Sequence, residues 1–351
     1  MSRRLRLLLA GAGVIGRAHA ERVRADDAFE LAGIADLSPA GGHYAASLGV
    51  PHWSDLDTAL DGLRPDGVIL ATPNKLHVHG ALACLARGTP VLVEKPVADT
   101  LAEALTLVDA VERSGVPVLV GHHRRHSAVM AAAREAISAG ELGRLVAVQG
   151  SALFHKPAGY FSEAPWRCRR GGGPILINMV HEVDNLRMLA GEIDAVQAVA
   201  SNARRDHEVE DTVAITLRFA NGALGSFVLS DVAASTRSWE QTSGENRAFA
   251  RDSHEACYFV TGDRGTLAVP TLRLQTAARE PSWFEPMAER TLVAPQVDPL
   301  QRQLQHFAAV IRRTEPPLVT VRDAARSLQV TLAIAQAAAS GQAVRCDNMT
   351  G

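Results

Sequence analysis

The sequence predicts an α/β protein whose N-terminal part is a doubly wound, mostly parallel sheet, followed by a second domain. Three observations carry this. A G-x-G-x-x-G run, Gly11 to Gly16, stands between a strand-like and a helix-like stretch. Strand and helix patterns then alternate as far as Gly121, as parallel crossovers require. The remaining residues, 122–351, are enough for a second core.

Taken in order, Leu5 to Ala10 reads as a short buried strand, Arg17 to Arg24 as a helix, and Phe29 to Ala35 as a second strand closed by Asp36. Asp36 lies 20 residues after Gly16, the third glycine. Gly11, Gly13 and Gly16, with the backbone of Val14 and Ile15, make a turn tight enough for a pyrophosphate to approach the helix N-terminus. Asp36 is placed to accept hydrogen bonds from the ribose hydroxyls of the adenosine. Its carboxylate repels a 2′-phosphate, and Leu37, Ser38 and Pro39 provide no cation to hold one. NAD is therefore favoured over NADP.

The alternation continues with a strand at Gly67 to Ala71, a helix at His77 to Arg87 and a strand at Pro90 to Val93. A helix at Ala102 to Ser114 and a strand at Val116 to Val120 complete it. Ligands of such sheets lie beyond the carboxyl ends of the strands. Those ends carry Thr72-Pro73-Asn74 with His77 nearby, Glu94-Lys95-Pro96, and the cationic stretch His122-His123-Arg124-Arg125-His126. Thr72, Pro73, Asn74, His77, Glu94 and Lys95 are accordingly assigned to the cofactor side.

Composition narrows the function. Thirty-six basic residues against 38 acidic ones, without basic blocks, argue against a nucleic-acid binder, and 5% aromatics leave few stacking platforms. Hydrophobic content of 47% excludes disorder, and no apolar run reaches the ~18 residues of a membrane span. Cys84, Cys168, Cys257 and Cys346 form no C-x-x-C pair, which points to reduced thiols in a cytoplasm. The segment from Ser2 to Ala20 imitates an export signal, but its apolar stretch contains the glycine motif and the first strand. The histidine-rich stretch lacks acidic or Cys partners at suitable spacing, so no metal site is expected.

The basic residues are 33 Arg and three Lys, namely Lys75, Lys95 and Lys156. In a chain that so favours arginine, a retained lysine can mark a place where a guanidinium fails. Lys95 has a chemical reason to be retained. Oxidation of an alcohol needs a base for the hydroxyl proton, and an ammonium beside a positive nicotinamide can fall from ~10.4 toward ~7–8. Arginine, above ~12, cannot be tuned that far.

Pro174 to Ala190 reads as a helix after the triplet Gly171-Gly172-Gly173. Asn178, His181, Asp184 and Asn185 recur at three- and four-residue spacing and share one face. His181 amid amides and a carboxylate is a candidate base, Asn178 an orienting or substrate-binding amide, and Asp184 a structural support.

These motifs in order, together with Leu304-Gln305-His306-Phe307 and the run to Gly341, resemble the Gfo/Idh/MocA oxidoreductase family over nearly the whole chain. The resemblance implies an N-terminal Rossmann domain (1–121) and a C-terminal α/β domain (122–351) with an open, mostly antiparallel sheet that mediates homo-oligomers, dimers or tetramers. It implies catalytic roles for Lys95 and His181, and a cis peptide before Pro96. One position departs from the family pattern: Ile177 stands where many members place an Asp, so the usual Lys-Asp-His trio is not intact.

On the substrate side, His123, Arg124, Tyr160, Arg167, Asn178 and His181 are the candidate ligands, and arginines here suit a substrate carboxylate. Lys156 is equally readable as a substrate contact or an exposed cation. Strand-like segments follow from Ala195 to Val269, and the long polar stretch Asp231 to Ala250 has the length of a lid or an oligomer contact. The Ala-rich helix from Ala324 to Ser340 is expected to pack back at the domain junction.

The reading is a cytoplasmic NAD(P)-dependent dehydrogenase of a secondary alcohol, or reductase of the matching ketone, on a sugar, cyclitol or sugar acid. Three rivals stay open: a dehydrogenase of carboxylated cyclic dihydrodiols, a non-catalytic nicotinamide-binding regulator, and an isomerase or glycosidase using transient oxidation.

Overall fold

The computed structural model describes residues 3–346. They form two compact units, one of residues 3–126 with Pro299–Leu328, the other of Ser127–Asp298 with 329–346.

The first unit is built on six strands, β1 (Leu5–Ala10), β2 (Phe29–Ala35), β3 (His52–Trp53), β4 (Gly67–Leu70), β5 (Val91–Glu94) and β6 (Val118–Gly121). All pair in parallel, in the order β3-β2-β1-β4-β5-β6. This is the Rossmann order, and the sequence of strands reverses between β1 and β4. Residues of β4, β5 and β6 are buried throughout, as strands covered on both faces must be. Helices Pro39–Leu48, Leu56–Leu63 and Leu101–Ser114 each begin on a capping side chain, Ser38, Asp55 and Thr100, the last in a reciprocal capping box with Glu103. The helix Pro299–Ile311 returns to this unit and sets Leu304, Phe307, Ala308 and Val310 against Leu7, Ile69, Leu92 and Leu119.

The second unit holds a nine-stranded sheet, made of β7 (Leu145–Leu153), β8 (Ile193–Ser201), β9 (Thr212–Phe219), β10 (Leu224–Ser230), β11 (Tyr258–Gly262), β12 (Gly265–Val269), β13 (Arg273–Ala277), β14 (Met287–Thr291) and β15 (Val344–Arg345). Its order is β14-β13-β12-β11-β7-β10-β9-β8-β15, antiparallel except for the β7–β10 pair. In β9 and β10 burial alternates residue by residue, so one face is covered and the other is open. The covered face contributes Phe219, Phe227 and Tyr258 to a core shared with Met130, Val183, Leu186 and Ile334. The open face carries a lateral row in which Val199, Ala214 and Val228 stand side by side on β8, β9 and β10.

Three local expectations are corrected. The stretch read as one helix from Pro174 is a π-helix over Ile175–Met179 followed by an α-helix over Val180–Ala190. The π-turn starts where Gly173 takes a positive φ of 80° and the Ile175 N–H donates to Glu210 Oε1 at 2.8 Å, a partner outside the helix. The four polar residues differ in burial: Asn178 and His181 are half-buried, Asp184 and Asn185 are buried, and Asn185 donates to the Tyr258 hydroxyl at 2.9 Å. The polar stretch 231–250 is anchored rather than free to swing as a lid, because Trp239 is buried beside Tyr258 and its Nε1–H donates to Glu245. The C-terminal helix begins three residues earlier than expected, at Val321.

Candidate active site

The glycine motif forms the start of the helix Val14–Ala25. Gly13 is its N-cap, no side chain caps it, and its first turn has no acidic residue. The unpaired N–H groups and the positive end of the helix dipole are thus left for an anion. Gly11 has φ +92°, and a Cβ there would lie 2.5 Å from the Ala71 carbonyl oxygen; one at Gly16 would collide with the Gly11 carbonyl. A Cβ on Gly13 would meet nothing within 4 Å. The outer glycines close the turn, and the middle one keeps its mouth clear for a diphosphate.

Asp36 ends β2 beside this turn. Its Oδ2 accepts from the Ala12 N–H at 2.6 Å, and its Oδ1 from the Ser38 N–H at 2.7 Å and hydroxyl at 2.6 Å. Burial works against ionisation here, but the hydrogen bonds from Ser38 and Ala12 outweigh it and hold the carboxyl below its ordinary range. Leu37 next to it is 86% exposed. Just beyond the end of β4, the Thr72 hydroxyl is buried without a hydrogen-bond partner among the described residues, while Pro73 and Asn74 are exposed. An uncapped helix start, an open glycine mouth, an ionised acid and an orphaned hydroxyl fit a dinucleotide.

Lys95 follows β5, half-buried, and the backbone on each side of it is held by a histidine. Before it, the buried Glu94 places Oε1 2.7 Å from His19 Nε2 and accepts from the Lys95 N–H with Oε2 at 3.2 Å. After it, His77 sets Nδ1 2.7 Å from the Pro96 carbonyl oxygen and Nε2 2.9 Å from that of Thr72. The Lys95–Pro96 peptide is cis, in agreement with the family resemblance. Burial would raise the Glu94 carboxyl, yet His19, Lys95 and His123 together lower it to about 2. His19 is the residue the sequence reading missed. A histidine on a helix carries no signal until the helix is laid against β5.

The 3₁₀-helix His123–His126 follows β6 in the same unit. His123 is half-buried, Arg124 is buried, and Arg125 pairs with Asp323 at 3.3 Å.

In the second unit, Tyr160, Arg167 and Asn178 gather around Lys156. The Lys156 ammonium donates to Asn178 Oδ1 at 2.8 Å and lies 4.8 Å from the centre of the Tyr160 ring. The Arg167 guanidinium stacks over the same ring at 3.8 Å and donates to the Tyr160 carbonyl oxygen at 2.5 Å. His181 comes three residues after Asn178, in the first turn of the helix 180–190, and is half-buried. Among the described residues no three His, Cys, Asp or Glu side chains cluster to hold a metal, all four cysteines are free, and no helix is long and apolar enough to cross a membrane.

Comparison with known proteins matches residues 5–122 to the model of an oxidoreductase family with an NAD-binding Rossmann fold, and residues 130–268 to that of the GFO/IDH/MocA C-terminal domain. The chain is 31% identical to 1,5-anhydro-D-fructose reductase of Ensifer adhaerens, over 80% of each chain. It is 27% identical to the NAD(+)-dependent scyllo-inositol 2-dehydrogenase of Bacillus subtilis, over 99% of this chain and 98% of that one. Among solved structures, the WlbA dehydrogenase of Bordetella pertussis, in complex with NADH and UDP-GlcNAcA, superimposes with a TM-score of 0.79 at 25% identity, covering 98% of this chain and 99% of that one.

Proposed function

The chain belongs to the Gfo/Idh/MocA oxidoreductase family, and we propose on that premise that it transfers a hydride between NAD and a secondary alcohol of a sugar, cyclitol or sugar acid. It is a nicotinamide-dependent dehydrogenase of CH–OH donors. The observation that carries this reading is the open glycine mouth beneath the uncapped helix start, on the unit whose β5 is followed directly by Lys95.

The residues divide the work. Gly11, Gly13, Gly16 and the amides of Val14 and Ile15 hold the diphosphate, and Asp36 holds the adenosine ribose. Thr72, Pro73, Asn74, His77 and Glu94 shape the remaining cofactor wall, the last two by fixing the backbone on either side of Lys95. Bound NAD supplies the hydride acceptor. His181 is the base that accepts the proton of the substrate hydroxyl, and Lys95, on the cofactor side, is the catalytic cation that donates a hydrogen bond toward the charge developing in the reaction. Asn178 orients the substrate beside Tyr160 and Arg167 of its own unit, and His123 and Arg124 are the candidate substrate ligands of the first unit.

The protein acts in the cytoplasm, a reading supported by its four free thiols. It assembles as a homo-oligomer through the open sheet face, for which the exposed row Val199, Ala214 and Val228 provides apolar contact. A screen of NAD reduction over polyols, aldonic acids and ring dihydrodiols tests the activity. Reduction with at least one polyol or sugar acid is expected; NADH binding without turnover on any of them would favour a sensor.

A further inference from the structure

Lys156 is 9% exposed, although nothing in the dehydrogenase chemistry above requires a second lysine. An ammonium has three N–H donors. Asn178 Oδ1 takes one at 2.8 Å, and Asp231 Oδ2 approaches at 3.5 Å. That carboxylate is already shared, since its Oδ1 accepts from Arg205 Nε at 2.8 Å. Arg205 also donates to the carbonyl oxygens of Lys156 and Asp231, which welds the two strand ends together. Arg167 faces the same cluster across the Tyr160 ring. Lys156, Arg167 and Arg205 therefore set three cations around Asp231, with the buried Asp211 behind them, its carboxylate held by the Arg204 and Arg205 N–H groups. Glu210, which also faces the group, is pushed toward its neutral acid by burial. Tyr160 is likewise held toward its neutral form by burial.

The excess positive charge lies where water is scarce, and a partly desolvated cation is costly unless a counter-charge reaches it. Asn178 adds donors of its own. Its carbonyl oxygen faces Lys156, so its two N–H groups are turned from the lysine and have no partner among the described residues. An ammonium N–H that has no oxygen partner beyond Asn178 and Asp231 stands beside an amide N–H₂ that has none, three residues before His181 on the chain.

We propose that Lys156 and Asn178 form the subsite for a carboxylate on the substrate, one oxygen on the ammonium and the other on the amide. This rests on the dehydrogenase reading and narrows its substrate to acids of the sugar or cyclitol class. Asp231 and Arg205 are positioning residues that hold Lys156 in place. Burial lowers the ammonium to about 8, opposed by the nearby Asp231 and aided by Arg167 and Arg205. Carboxylate binding therefore weakens as pH rises through that value and Lys156 loses its charge.

The test uses matched pairs that differ by the carboxylate, glucuronate with glucose, galacturonate with galactose and gluconate with glucitol. NAD reduction is followed for each, and binding to the protein with NADH is measured by calorimetry. The acid of a pair should be preferred, and Lys156→Met should lower the acid-to-neutral ratio of kcat/KM by about tenfold or more, mostly through KM. In Lys156→Arg, which keeps the charge, acid preference should survive and the weakening above pH 8 should move to higher pH. A preference for neutral sugars, or an unchanged ratio in Lys156→Met, overturns the subsite while the dehydrogenase stands. Oxidation of no member of any pair, with NADH still bound, removes the dehydrogenase reading and the subsite with it.

Discussion

His19 Nε2 and Glu94 Oε1 stand 2.7 Å apart with side chains 0% and 4% exposed, joining the helix of the glycine motif to the strand end that precedes Lys95. The pair couples the glycine turn to the position of Lys95. His77 does the corresponding work on the far side, where it reaches the Pro96 carbonyl. A mobile ammonium at the end of a four-carbon stem gains precision from a backbone pinned on both sides.

Breaking that pair should cost both stability and catalysis. Glu94→Gln removes a buried charge and leaves His19 facing an amide, a loss of about 3–5 kcal/mol by analogy with other buried pairs. Urea unfolding should show a lower midpoint with an unchanged slope. An unaltered midpoint would mean that the pair is energetically idle.

The same group sets an acid limit. Its folded value of about 2 lies below the ordinary 4.5, so the stabilisation is complete above 4.5 and drains away as pH falls toward 2. The wild type should lose stability across that window, and Glu94→Gln should lose less. Parallel curves for the two proteins would place the acid sensitivity elsewhere.

Lys95→Arg should bind NADH normally, as read by fluorescence titration, while turnover falls by about 10²-fold or more, because a planar guanidinium cannot place its donors where the compact ammonium does. Near-normal turnover would take the lysine out of the chemistry.

His181→Ala should lower kcat by about 10²–10⁴-fold if the imidazole is the general base. The acidic limb of the pH–rate profile should disappear with it. A profile that keeps its acidic limb would assign that limb to another group.

Asp36→Ala combined with Leu37→Arg should shift the ratio of kcat/KM toward NADP, since it removes the repelling carboxylate and adds a cation at an 86% exposed position. Part of the NAD affinity should fall as well, because Asp36 also holds the Ala12 and Ser38 amides. An unchanged ratio would separate Asp36 from the ribose.

The first unit was readable because its motifs sit at strand ends and its strands alternate with helices along the chain. Its third strand was not, since His52 and Trp53 pair only with Ile34 and Ala35 and carry no periodic pattern. The edge strand β14 and its neighbour β13 were missed for a related reason: β14 is exposed along its whole length and lacks alternation. The π-turn at Ile175 escaped because apolar spacing alone does not separate it from an α-turn. Lys156, Arg205 and Asp231 stand 49 and 26 residues apart. Backbone bonds between distant loops bring them together, as where the Lys156 N–H donates to the Asp231 carbonyl at 2.9 Å. Lys95 was legible from its neighbours in sequence, and Lys156 became legible only from its neighbours in space.

The burial of the lysines also sets how the protein meets amine-directed reagents. Lys156 is shielded, Lys95 is half-shielded, and Lys75 alone of the three stands in solvent, in the 3₁₀-turn Asn74–Leu76 after β4. An acylating dye would mark that turn first among the lysine side chains, and a tag placed there would report on the loop that follows Thr72.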